Sequence, residues 1–151
     1  MTATPPTPAE PATPALCEGI GSMIEAARVN YPDIRKMDKP VEIDHVAGFE
    51  ATFVFPDTTG CRILTSEPPY PDAYECDLSL GDPPKSAKVV VDRWVAMVEK
   101  CPQIASWPRH AYGAGVAWEI ETNDNHMLNV HVLPVGDDET RPTLGIRLNE
   151  I

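Results

Sequence analysis

Apolar residues first recur with helical spacing. Leu16, Ile20, Met23, Ile24, Ala27 and Tyr31 follow one another at steps of 4, 3, 1, 3 and 4, which draws a single face of a helix. Thr13-Pro14 supplies a cap and a first-turn proline, and Pro32 supplies the stop. Gly19 and Gly21 weaken this helix, so its first turns are either frayed or closely packed. The period then changes to two. Phe49, Ala51, Phe53 and Phe55 alternate with polar or smaller neighbours, then Cys61, Ile63 and Thr65, then Tyr74, Cys76, Leu78 and Leu80. Three antiparallel strands are expected, with a short lead-in strand over Val41 to His45.

A second helix is expected after "GDPPKS", capped by Asp82 or Ser86. Ala87, Val90, Val91, Trp94, Met97, Val98 and Cys101 line its apolar face, and Pro102 ends it. Strand spacing returns in Val116, Trp118 and Ile120, in Leu128, Val130 and Val132, and in Leu144, Ile146 and Leu148. Thr122–Asn125 reads as a turn and "GDDETRP" as a loop. The pattern therefore predicts an α+β fold of two αβββ halves, an antiparallel sheet packed by two helices over residues 14–151. Residues 1–13 hold four of the five prolines found by position 14, with Thr and Ala between. They read as an extended, disordered tether.

The four cysteines lie 44, 15 and 25 residues apart. Such intervals fit neither a zinc knuckle nor a Cys-x-x-Cys redox motif. Two disulfides or four buried thiols remain. Cys61 and Cys76 share the inward face of neighbouring strands, and Cys17 begins the first helix where Cys101 ends the second. If those helices pack antiparallel, the second pair meets as well, so the expected bridges are Cys61–Cys76 and Cys17–Cys101. An even count with none left over fits an oxidising compartment.

"GCRI" at Gly60–Ile63, "YEC" at Tyr74–Cys76, Cys101-Pro102 and Trp107 resemble a group of small exported bacterial proteins of unknown function. The resemblance covers about half the chain. It implies export, two disulfides and a compact α+β domain, and it brings no chemistry with it.

Charge narrows the partners. Acidic residues outnumber basic ones 23 to 12, a net charge of -11. That balance opposes nucleic acid and anionic membrane surfaces, and favours a basic protein or plain solubility. No run approaches a membrane span, and the N-terminus has no basic start or apolar core of a signal. The texture is that of a mature exported protein, periplasmic or extracellular, whose tether follows a cleaved signal or a lipid anchor.

Catalytic signals are sparse. Glu119, Glu121, Asn129, His131 and Arg147 share the parity opposite to the core. His131 with Glu119 and Glu121 could serve as a general base or a metal site, yet alternation alone predicts an ordinary solvated sheet face. "YGAGVAW" lacks the third glycine of a dinucleotide site and reads as a bend. No Gly-x-Ser-x-Gly or His-Glu-x-x-His occurs, and no cofactor or metal is expected. The remaining candidates are a partner surface of Tyr70, Asp72, Trp107, Asp137, Asp138 and Glu139, aromatic anchors ringed by acid. The expected role is a non-enzymatic binding module, of the inhibitor or immunity type, against a basic envelope-acting enzyme. The alternatives are a small hydrolase or metal-dependent enzyme centred on His131, and a structural envelope protein.

Overall fold

The computed structural model describes residues 14–29, 31, 34–43, 45–65, 72–122, 125–136 and 138–150. The 1–13 tether, Thr13, Pro32, Tyr70 and Asp137 lie outside them. Two helices and eight strands follow in the order α1 (Pro14–Arg28), β1 (Arg35–Ile43), β2 (Val46–Ala51), β3 (Thr58–Leu64), β4 (Ala73–Leu78), α2 (Ala87–Val98), β5 (Arg109–Tyr112), β6 (Gly115–Glu121), β7 (His126–Val135) and β8 (Arg141–Glu150). The strands form one sheet in the order β1-β2-β3-β4-β8-β7-β6-β5, and every pairing is antiparallel.

Two αβββ halves are therefore not what forms. Each helix is followed by four strands, and all eight join one continuous sheet through the β4–β8 pairing. Of the two extra strands, β1 begins at Arg35 and includes Val41–Ile43 of the lead-in strand expected over Val41 to His45, while β5 falls where no strand is expected. β5 is four residues long and lies at one edge, and β1, at the other edge, exposes most of "RKMDKPVEI". A strand with solvent on both faces has no apolar alternation to betray it. Both edges are also guarded against further pairing: β1 carries Lys36, Lys39, Pro40 and a register shift between Arg35 and Pro40, and β5 is short.

Both helices pack on one face of the sheet, α1 against β4 and β8, and α2 against β6, β7 and β8. The helical face read from the sequence is the buried one: Leu16, Ile20, Met23, Ile24 and Ala27 all lie in the core. α1 stops at Arg28, short of the expected Tyr31. There the Tyr31 N–H closes back on the Ala26 carbonyl, a capping turn that ends the helix. Gly19 is a packing site: an added Cβ would collide with the rings of Phe53 and Phe55. In α2 the cap is Ser86, whose hydroxyl accepts from the Val89 N–H at 3.3 Å.

The sheet contributes Ile63, Tyr74, Leu78, Trp118, Leu128, Val130, Val132, Leu144 and Ile146 to the same core. Two buried tyrosines tie it to backbone carbonyls. Tyr31 donates its hydroxyl proton to the Ile146 carbonyl, and Tyr74 donates to Phe53 at 2.7 Å. Burial raises both hydroxyl pKa values well above the ordinary tyrosine range. Each phenol therefore stays a neutral donor.

Both expected disulfides are present. Cys61 and Cys76 are direct cross-strand partners in β3 and β4, and Cys17–Cys101 ties the start of α1 to the residues after α2. The latter closes a loop with a sequence separation of 84, the former one of 15. Chain-entropy reasoning assigns about 4.5 kcal/mol to the longer loop and about 3 kcal/mol to the shorter. Urea unfolding of Cys17→Ser/Cys101→Ser is therefore expected to show the larger loss, about 4.5 kcal/mol, against about 3 kcal/mol for Cys61→Ser/Cys76→Ser. Equal or reversed losses would contradict that ordering.

Candidate functional site

The face of the sheet away from the helices carries a polar array. Directly paired residues on antiparallel strands share a face, so the register fixes its rows. One row runs Glu50–Arg62–Glu75–Gly145–His131–Ala117–His110 from β2 to β5. The next runs Leu64–Ala73–Arg147–Asn129–Glu119 from β3 to β6. The shared parity of Glu119, Glu121, Asn129, His131 and Arg147 is thus real. The expectation of an ordinary solvated face is not: Asn129 is 1% exposed, His131 8% and Arg62 5%.

Two clusters occupy this face. The first joins β3, β4 and β8. Arg62 donates to Glu75 and, at 2.7 Å, to Asp77, while Arg141 donates to Asp77 at 2.7 Å. Burial alone would raise the Asp77 carboxyl, yet the hydrogen bonds from Arg62 and Arg141 outweigh it and hold its pKa below the usual carboxylate value. Burial would likewise lower both guanidinium pKa values, and bonds to Asp77 (with Glu75 for Arg62) raise them instead. Two cations face two anions, so the cluster is neutral and internally satisfied, apart from the Arg62 Nε. A groove of about 410 Å³ opens beside it, lined by Thr59, Asp77, the 78–81 turn, Thr140, Arg141 and Pro142.

The second cluster joins β5, β6, β7 and β8. His110 Nε2 lies 2.8 Å from Glu119 Oε1, and Asn129 Nδ2 donates to Glu119 Oε2 at 2.8 Å. The amide orientation then leaves Asn129 Oδ1 as an acceptor, 2.6 Å from His131 Nδ1. His131 must carry its proton on Nδ1, and Nε2 is left as a lone-pair acceptor. That edge of the ring lies over Gly145, where an added Cβ would penetrate the imidazole. Tyr112 reaches in from the edge strand: its ring is 5.4 Å from the His131 ring, and its hydroxyl accepts from Arg147 Nη2 at 2.8 Å. Ala117, the small residue between these strands, is fully buried.

Burial, with the Arg147 charge adding to it, pushes the His131 pKa down from 6.5 to about 3. A base that weak has little driving force for proton abstraction near neutral pH. Its Nδ1 is committed to Asn129 rather than to a glutamate, and Glu121 stands exposed at the end of β6, next to Met127. Among the described residues no three His, Cys, Asp or Glu side chains are placed to share a metal ion. The His131–Glu119–Glu121 arrangement of the hydrolase reading does not assemble.

The expected partner surface also changes. Asp72 is buried and paired with Arg35 at 2.8 Å, so it belongs to the scaffold. Trp107 is partly buried and packs against the core rather than standing free. Tyr70 and Asp137 lie outside the described residues. Asp138 and Glu139 are exposed after β7, with Thr140 donating to Asp138 at 2.7 Å. Tyr112 and His110 lie on β5, a strand outside those expected; their alternation on either side of Ala111 is the sequence signal for it. No protein-family model, curated protein or solved structure matches this chain.

The depressed His131 pKa has a definite pH signature. Between pH 6.5 and about 3 the unfolded chain binds a proton at this site that the folded chain refuses. Stability should therefore fall as pH falls through that window, by up to ~1.4 kcal/mol per pH unit from this residue. His131→Gln, which keeps a donor to Asn129, should flatten the slope between pH 6 and pH 4.5 in urea melts. The Asp77 contribution, from a carboxyl held below its usual value, is lost at lower pH and should persist in that variant. An unchanged slope would show that His131 titrates normally.

Gly145→Ala places a methyl against the imidazole, and should destabilise by about 1–3 kcal/mol through overpacking. The same variant combined with His131→Ala should recover most of that loss, as a double-mutant cycle can measure.

Proposed function

We propose that this chain is an exported binding module, not an enzyme, and that it holds a basic envelope-acting protein in the manner of an inhibitor or immunity protein. The observation that carries the reading is how the charges are distributed. Arg28, Arg35, Arg62, Lys88, Arg93, Arg109 and Arg141 each face a carboxylate within 4.0 Å. The chain carries 23 acidic residues against 12 basic ones, and among the described residues Glu18, Glu42, Glu50, Glu121, Asp138 and Glu139 are exposed. A surface of this sign steers a basic partner and repels nucleic acid.

Two disulfides suit an oxidising compartment, and no described helix is long and apolar enough to cross a membrane. The weak basicity of His131 and its engagement by Asn129 count against acid–base catalysis. Among the described residues of the expected partner surface, Asp138 and Glu139 before β8 stand exposed.

The test is capture of a basic protein from an envelope or culture extract, followed by association kinetics across salt. Association should slow as ionic strength rises. Asp138→Lys with Glu139→Lys should slow it by roughly tenfold at low salt, with little change in the dissociation rate. Retention of no basic protein, or a captured partner indifferent to both salt and charge reversal, would sink the reading in favour of a structural envelope role.

A further inference from the structure

Each arginine except Arg147 faces a carboxylate within 4.0 Å among the described residues. Arg147 nonetheless sits half-buried on β8, near the middle of the sheet. Its Nε is buried without an acceptor, and Nη2 is bonded only to a neutral phenol, Tyr112. A guanidinium taken partly out of water with no counter-charge is a cost that a fold normally avoids. The Arg62 Nε is orphaned too, but that side chain has Glu75 and Asp77 to balance it.

We propose that Arg147 and Tyr112 form a binding site for a single carboxylate on the open face of the sheet. Tyr112 spends its oxygen lone pair on Arg147, and its own proton has no acceptor among the described residues. Guanidinium and phenol, joined by their own hydrogen bond, thus both keep donor capacity that no described residue takes up, and a carboxylate's two oxygens can accept from two such neighbouring donors. Both groups are held in place. Tyr112 lies tilted against His131, which Asn129 and Glu119 fix in turn, and Arg147 stands opposite Asn129 in the register.

The charge around the site selects the ligand class. Arg147 offers one positive charge, with Glu119 in its own row of the face and Glu75 in the next. A monoanion is matched by that one charge, whereas a phosphate dianion brings an excess negative charge toward two carboxylates. His131 is neutral and adds no cation. The site goes beyond the proposed recognition of a basic protein and does not rest on it.

The experiment is a titration of the isotope-labelled full chain with sodium acetate, at ionic strength held constant with sodium chloride. It is read by NMR at Arg147 Nε–Hε, the Tyr112 ring and the His131 ring. A second arm substitutes inorganic phosphate. Acetate should produce saturable shifts at all three, and phosphate should bind no more tightly. Arg147→Gln should weaken acetate binding by roughly tenfold or more, and Tyr112→Phe by roughly tenfold, as loss of a charge-assisted or donor hydrogen bond implies. Arg147→Lys should retain part of the affinity. Shifts that rise linearly and equally in wild type and Arg147→Gln, or tighter saturation by phosphate, would overturn the proposal. Should Arg147→Gln fail to fold, Tyr112→Phe decides alone, since its unchanged acetate affinity would be equally fatal.

Discussion

Tyr74, Glu75 and Cys76 on β4 stand directly opposite Ile146, Gly145 and Leu144 on β8, and both faces of the protein hang on that register. Without it the chain would hold two four-stranded sheets, each with an extra open edge. With it, Tyr74, Cys76, Leu144 and Ile146 merge into one apolar surface broad enough for both helices. The pairing is non-local, so its loop-closure cost must be offset by burial on the helix side. Cys17–Cys101 links the helices that cover the two strand sets, which lowers the entropy lost on bringing them together.

The same register composes the opposite face. It sets Glu75 beside Gly145, and Gly145 beside His131, so the imidazole has a floor with no side chain beneath it. It also divides the face into two electrostatic regimes. Around Arg62, Asp77 and Arg141 the charges cancel internally and stabilise the junction of β3, β4 and β8. Around Arg147 they do not cancel. The first arrangement serves stability, while the second leaves interaction capacity unused by the fold, which is the usual mark of a site kept for something else.

A histidine at the centre of such a face invites a catalytic reading, and its surroundings oppose one. The hydrogen-bond chain from His110 through Glu119 and Asn129 fixes the His131 tautomer, while burial and Arg147 keep the ring neutral. The ring is rigid, uncharged and packed against Tyr112, properties suited to holding a surface in shape. The proposed binding role needs no proton transfer and would rest on fixed donors and on the field of the acidic surface.

The sequence by itself determined the helical faces, the inward set of six strands, both disulfide pairings and the parity that gathers Glu119, Asn129, His131 and Arg147. These are local or periodic properties, set by which side of one element each side chain takes. Tertiary structure alone decided the rest. The edge strands β1 and β5 bury little of either face, so the pattern marked only the Val41–Ile43 end of β1, and with the short β5 went Tyr112 and His110. Asp72 looked like a loop acid until Arg35 was brought to it, and Trp107 like a free anchor until it met the core. The burial of Asn129 and His131 is likewise a product of pairing. Alternation says only that they leave the core, whereas Gly145, Ala117 and Tyr112, from three other strands, decide what they meet on the far side. Which strands become neighbours depends on the summed packing of distant segments, and no local stretch of sequence carries that sum.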